Sequence, residues 1–266
     1  MKILVANDDG INAKGIRELT KALSQVAEVY VIAPDTQRSG ASHSITMHKK
    51  LRFVPAKVEG ATKAYSFTGT PADCVKMGLE LLRRQNIMID AVFAGINHGG
   101  NLGTDTLYSG TVGAAREGLV DGVFSVAVSV NSHEADDFGY ACKLAVAAAK
   151  AFDKGMFPKP HEFMLNINVP NIDEDKIKGL KVAKLGIRDY DNWFNPVHLE
   201  DGSIEICYEG KPVSFDMANE IDLPADVLLM DMGYATVTPL GYELTAKNAA
   251  AIEETASYAA SVEFLK

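Results

Sequence analysis

The chain predicts an α/β protein: a mostly parallel sheet with flanking helices, extended at its C-terminal end by β-hairpins and a terminal helix. Three observations carry this. Up to Pro170, short β-branched runs alternate with segments of helical apolar spacing, as strands joined by crossover helices do. Several of these runs are unbroken apolar stretches, which suits strands covered on both faces. Beyond Pro170 strand-like runs continue while the helical patterns between them stop. A chain of 266 residues holds one large domain, read here as a core over about 1–170 and an extension over about 171–266.

Taken in order, Ile3-Leu4-Val5-Ala6 makes 2–6 the first strand, stopped by Asn7-Asp8-Asp9-Gly10. Ile16, Leu19, Leu23 and Val26 then recur at helical spacing. The second strand, 29–33, closes at Pro34-Asp35. Gly69-Thr70-Pro71-Ala72-Asp73 reads as a loop entering a helix, with Thr70 as N-cap and Pro71 in the first position. Val75, Leu79 and Leu82 of that helix face inward. A buried strand follows at 90–95, a helix at 111–119, a strand at 125–130, a long helix at about 138–152 and a strand at 163–169. In the extension 181–186, 204–208 and 234–238 read as strands, 212–224 is rich in turn formers, and 248–264 reads as a helix. Such a tail often packs on a neighbouring subunit, which points to an oligomer.

The formal net charge of −9, with no long basic run, argues against a nucleic-acid backbone as partner. A phosphorylated substrate stays open, because a metal can supply local positive charge. Cys74, Cys142 and Cys207 are far apart and form no C-x-x-C pair, which suits reduced thiols better than disulfides or a zinc site. The N-terminal apolar run is too short for a signal peptide, and Lys150 interrupts the Ala-rich stretch around 144–152. A soluble, cytoplasmic protein is expected.

The chemistry is concentrated at strand ends, which line the ligand crevice of an open parallel sheet. Asp8 and Asp9 repel each other there, and a divalent cation relieves that repulsion; a solvated Asp-Asp-Gly turn is the alternative. The second strand leads to Ser39 and the 90–95 strand to Asn97. Each alone reads equally as an ordinary loop residue, but together they give an all-oxygen set for Mg²⁺, Mn²⁺ or Ca²⁺ rather than zinc. Ser109-Gly110-Thr111, entering an Ala-rich helix, offers free N–H groups for a phosphate, or simple capping by Ser109 or Thr111. Arg38, His43 and His98 are either substrate contacts or ordinary loop side chains.

These stretches resemble the SurE family of metal-dependent nucleotidases. The likeness runs through Asn7-Asp8-Asp9-Gly10, Pro34-Asp35 with Arg38-Ser39-Gly40, Gly69-Thr70-Pro71-Ala72-Asp73, and Gly95-Ile96-Asn97 with Gly100-Asn101-Leu102-Gly103. It continues through 108–118, Asn168-Val169-Pro170 and Thr238-Pro239-Leu240, and so covers most of the chain in order. The resemblance implies a Rossmann-like core within a single domain, 1–266, and one divalent ion per subunit on Asp8, Asp9, Ser39 and Asn97. It implies a C-terminal part that exchanges elements within a homodimer or homotetramer. It also implies phosphatase activity on nucleoside 5′- and 3′-monophosphates, at times extending to short polyphosphate. His98, where the family often has a small residue, and the divergent stretch 226–234 bear on substrate preference.

The expected reaction is hydrolysis of a phosphomonoester by a metal-activated water. Asp9 orients or deprotonates the water beside Asp8, and Ser109, Gly110 and Thr111 hold phosphoryl oxygens, with Asn101 and His98 as further contacts. Loops such as 42–48 and 189–195 are expected to read the base. A phospho-aspartyl enzyme usually spaces its carboxylates two apart, and a dinucleotide oxidoreductase needs a G-x-G-x-x-G turn that is missing here. A receiver-like Mg²⁺-binding signalling protein needs a phospho-accepting Asp where this chain has Gly95-Ile96-Asn97.

Overall fold

The computed structural model describes residues 1–157, 161–208, 210–218 and 220–244. The expected helix at 248–264 lies outside the described residues. The core alternates β1 (Lys2–Ala6), α1 (Lys14–Leu23), β2 (Glu28–Pro34), β3 (Phe53–Ala56), β4 (Ala61–Phe67), α2 (Pro71–Arg84) and β5 (Ala91–His98). It continues through α3 (Gly110–Val120), β6 (Phe124–Val130), α4 (Gly139–Asp153) and β7 (Met164–Val169). The extension adds β8 (Leu180–Val182), β9 (Ile187–Asp191), β10 (Phe194–His198), β11 (Ile204–Tyr208), β12 (Lys211–Phe215), α5 (Asp226–Asp231) and β13 (Ala235–Leu240).

Among the described residues the main sheet runs β3-β4-β2-β1-β5-β6-β7-β13-β8. From β4 through β7 neighbours pair in parallel. Side chains alternate across it. Ile3 and Val5 of β1 pack with Ile16 and Leu19 of α1 and Ala141 and Ala145 of α4. Leu4 and Ala6 pack on the other face with Val75 and Leu79 of α2 and Val112 and Ala115 of α3. Burial on both sides is why β1 reads as an unbroken apolar run. Local signals agree: Thr70 Oγ1 accepts the Asp73 N–H at 3.1 Å while Asp73 returns a bond to the Thr70 N–H at 3.0 Å, closing a capping box on α2.

The differences lie at the margins. The expected strand 181–186 stops at Val182, because the backbone then turns to bond the start of α5: Lys184 N–H to Pro224 O, and Gly186 N–H to the Asp226 carboxylate at 2.8 Å. One short helix, α5, stands where none was expected. β13 adds to the main sheet, antiparallel to β7 and parallel to β8. No helix among the described residues is long and apolar enough to cross a membrane.

Candidate active site

The first strand ends in a closed turn. Asn7, fully buried, accepts the Gly10 N–H on its side-chain oxygen at 3.2 Å and donates its amide to Gly10 O at 3.0 Å. Gly10 has φ +97°, a conformation that disfavours a side chain. The turn puts its two carboxylates in unlike surroundings. Asp8 is 4% exposed, and its Oδ1 accepts the Thr111 hydroxyl at 2.5 Å. Gly110, first residue of α3, lies so near that a Cβ there would fall 2.9 Å from both Asp8 Cβ and Oδ2. Burial pushes the Asp8 carboxyl up to about 6, with Asp9 adding to the shift and the Thr111 bond opposing it. Asp9 instead meets loops: its Oδ2 is 3.2 Å from both the backbone N–H and Nδ1 of His98.

Because β2, β1 and β5 are adjacent and parallel, their carboxyl ends open on one side. Gln37 Nε2 donates to Ser39 Oγ at 3.0 Å and lies 3.5 Å from Asp9 Oδ1, linking the β2 and β1 ends. Asn97 donates Nδ2 to Gly99 O at 2.8 Å, which leaves its side-chain oxygen to act as a ligand. Asp8, Ser39 and Asn97 line a cavity of about 420 Å³, and Asp9 and Ser39 line the groove adjoining it.

The expected phosphate contacts divide. His98, Asn101 and Ser109 line the cavity. Ser109 Oγ caps α3 by accepting the Val112 N–H at 3.0 Å, so its own hydrogen stays available to an anion. Asn101 holds the Gly99–Asn101 turn on the sheet: Nδ2 donates to Ser129 Oγ at 2.7 Å, and its backbone N–H and C=O bond the Asn168 side chain. Thr111 is fully buried with its hydroxyl given to Asp8, and Gly110 sits against Asp8. These two support the carboxylate. Arg38 pairs with Asp35 at 3.3 Å, and His43 lies 2.7 Å from Glu117, where Lys76 also pairs at 2.6 Å.

Of the two loops expected to read a base, 42–48 is pinned to the helices: Ser42 Oγ donates to Leu107 O, and the Thr46 N–H bonds Asp73. The other contributes, since Tyr190 lines the cavity beside Arg188. Arg188, Asp105, Tyr108, Asn131 and His133 also line it and were not singled out from the sequence. The signals pointing there are the loop 189–195, which begins just after Arg188, and the stretch 108–118, which begins with Tyr108.

The donors suit a hard divalent cation: two carboxylates, a hydroxyl and an amide oxygen, with openings for water and substrate. Among the described residues no group of three or more His, Cys, Asp or Glu could hold a metal, so a cation here would rest on this mixed oxygen set.

Comparison with known proteins places these features. The profile of the family described as "Survival protein SurE" matches residues 3–192. A "5'-nucleotidase SurE" of Syntrophomonas wolfei is 41% identical over 247 residues, covering 92% of this chain and 90% of the relative. One of Pelotomaculum thermopropionicum is 42% identical over 246 residues, covering 92% and 91%. The crystal structure of the Sure protein from Aquifex aeolicus superposes with a TM-score of 0.78 at 32% identity, covering 98% of this chain and 100% of that one.

Proposed function

The chain belongs to the survival protein SurE family, and from that membership and the strand-end site we propose a phosphoric monoester hydrolase that releases phosphate from nucleoside 5′- and 3′-monophosphates. The observation that carries the reading is the convergence of Asp8, Asp9, Ser39 and Asn97 beside a cavity capped by the N-terminus of α3.

A divalent ion, Mg²⁺ or Mn²⁺ first, would be held by these four residues and would polarise the phosphoryl group and acidify a water. The protein's own groups do the rest. Asp9 takes the proton of the attacking water on Oδ1, because Oδ2 is held by His98. Thr111 and the start of α3 fix Asp8. The Ser109 hydroxyl donates to a non-bridging oxygen at the positive end of α3, where charge spreads as the reaction proceeds. Water oxygen bonds to phosphorus, the P–O bond to the nucleoside breaks, and that oxygen takes up a proton, for which His98 is the cavity-lining donor. The products are a nucleoside and orthophosphate.

The same reading places the protein in the cytoplasm as a homodimer or homotetramer. Exposed Trp193, Phe194, Val197, Ile204 and Ile206 on the hairpins support association. It also keeps 1–266 as a single unit, with 1–170 as core and 171–266 as extension.

The test is phosphate release from nucleoside 5′- and 3′-monophosphates, metal-free and with Mn²⁺ restored, for wild type and Asp9→Asn. Metal-dependent turnover reduced by about 10²–10⁴ in the variant is expected. Near-normal turnover by folded, metal-loaded Asp9→Asn would refute the role of Asp9. Mn²⁺ binding with no turnover would favour the receiver-like alternative.

A further inference from the structure

A second cavity, of about 310 Å³, opens between α3, the end of β13 and the turn 183–185. The alternation of β13 sets one of its walls. Ala235 and Val237 face the α1 and α4 side, so Thr238 and Leu240 face α3, where Leu240 packs with Val112 and Ala115. Thr238 is 2% exposed, and its Oγ1 is buried without a hydrogen-bond partner. Arg116 of α3 lines the same cavity, and its Nε is likewise buried and unpartnered. Among the described residues no carboxylate pairs with Arg116, and burial alone pushes its guanidinium below its ordinary value. The other cation there is answered: Lys184 Nζ pairs with Asp216 Oδ1 at 3.3 Å and donates to Met217 O at 3.1 Å. Leu107, Leu185, Leu223 and Leu240 make much of the remaining wall apolar.

A guanidinium drawn out of water without a partner is costly, and so is a buried hydroxyl with none. One anion answers both. With Lys184 offset by Asp216, a single positive charge is left over in the cavity. A dianion such as phosphate exceeds that charge and meets repulsion from Asp216. A carboxylate matches it, fits the planar fork of Arg116 and accepts the hydrogen of Thr238 Oγ1. The leucines then take an apolar body attached to that carboxylate. We propose that this cavity binds a monocarboxylate with a short apolar body, its charged end on Arg116 and Thr238 and its tail among Leu107, Leu185, Leu223 and Leu240. The proposal is independent of the nucleotidase reading, since no residue lines both this cavity and the strand-end one.

The experiment titrates hexanoate into the full chain by calorimetry, with hexanol as its uncharged counterpart, for wild type, Arg116→Gln and Thr238→Val. Gln is nearly as good a helix former as Arg, so α3 is expected to keep its fold in the first variant. Wild type is expected to bind hexanoate saturably with a Kd below about 1 mM. Binding should weaken about 10- to 100-fold in Arg116→Gln and about 5-fold in Thr238→Val, and hexanol should bind at least about 10-fold more weakly than hexanoate. If Arg116→Gln does not fold, the Thr238→Val and hexanol comparisons decide. Absence of saturable hexanoate binding by wild type overturns the proposal. So does equal affinity of wild type and Arg116→Gln, or of hexanoate and hexanol. Displacement of hexanoate by an equal concentration of sulfate would mark a site for any small anion and also overturns it. A smaller assembly of Arg116→Gln in light scattering overturns it as well, by giving Arg116 to a carboxylate of a second copy of this chain.

Discussion

Replacing Gly110 by Ala isolates the packing that holds Asp8. A Cβ at this position falls 2.9 Å from Asp8 Cβ and Oδ2, about 0.5 Å short of the 3.4 Å at which ordinary contact begins, and Pro71 Cγ at 3.2 Å blocks retreat. The backbone itself tolerates Ala, since Gly110 is not among the glycines of positive φ. Two stability effects then oppose each other. Ala gains up to about 1 kcal/mol over Gly in a helix, while forcing a methyl into a packed site costs about 1–3 kcal/mol. The net loss of about 0–3 kcal/mol moves the melting temperature by less than about 10 °C in a chain of this size. Chemistry is less forgiving: displacing a reacting group by about 1 Å costs on the order of 100-fold in rate. Gly110→Ala, which displaces Asp8 by about half that, should therefore stay folded, bind Mn²⁺ more weakly by titration calorimetry, and lose about 10-fold in phosphate release. Turnover within about threefold of wild type, with unchanged Mn²⁺ affinity, would refute the claim that this contact positions Asp8.

Other perturbations test other joints. Glu117 is buried, which pushes its carboxyl up, yet its bonds to His43 and Lys76 outweigh this and hold it below the ordinary 4.5. Its contribution is present above pH 4.5 and lost as pH falls through the lower folded value. Glu117→Gln should cost about 1–3 kcal/mol at pH 7 and flatten the acid limb of stability measured by urea unfolding across pH 3–7; an unchanged acid limb would count against the pairing. Asp226 accepts the N–H groups of Gly103 at 2.9 Å and of Gly186 and Val227 at 2.8 Å while fully buried. Asp226→Ala orphans all three and should cost about 3 kcal/mol or more in urea unfolding, against a much smaller loss in Asp226→Asn. Mn²⁺ at about 100 times its dissociation constant should stabilise the metal-stripped protein by about 2.7 kcal/mol, seen as a raised melting temperature that is absent in Asp8→Asn.

What could be read from the sequence is what local physics determines. β1 and its Asn7–Gly10 stop are visible because a strand buried on both faces is an apolar run ended by turn formers. Thr70-Pro71 shows a helix start because the cap, its proline and Asp73 sit within four consecutive residues. β3 and β4 were not legible: Phe53–Ala56 contains Pro55, and Ala61–Phe67 mixes Thr62 and Lys63 with apolar residues at the sheet margin. Thr111 reads in the sequence as a phosphate donor or a cap, and the Asp8 carboxylate that takes its hydroxyl lies 103 residues away. Arg188 reaches Gly100 across 88 residues, a pairing no window of sequence displays.

On the proposed reading, the two aspartates explain why the site would take a cation from outside the chain. Basic side chains around the site are already engaged: Arg38 pairs with Asp35, Arg188 in the cavity with Asp105, and Lys14, which lines the groove with Asp9, with Asp136. His98 hydrogen-bonds Asp9 through its backbone N–H and lies with Nδ1 3.2 Å from the same oxygen. Asp8 is held by the rigid core, through Thr111 and the closely packed Gly110, while Asp9 is held by His98 and approached by Gln37 from loops. A fixed buried carboxylate beside a second one is costly without compensation. Placed at the end of β1, between the ends of β2 and β5, that cost would become binding energy for a divalent ion, whose oxygen set Ser39 and Asn97 would complete without adding charge.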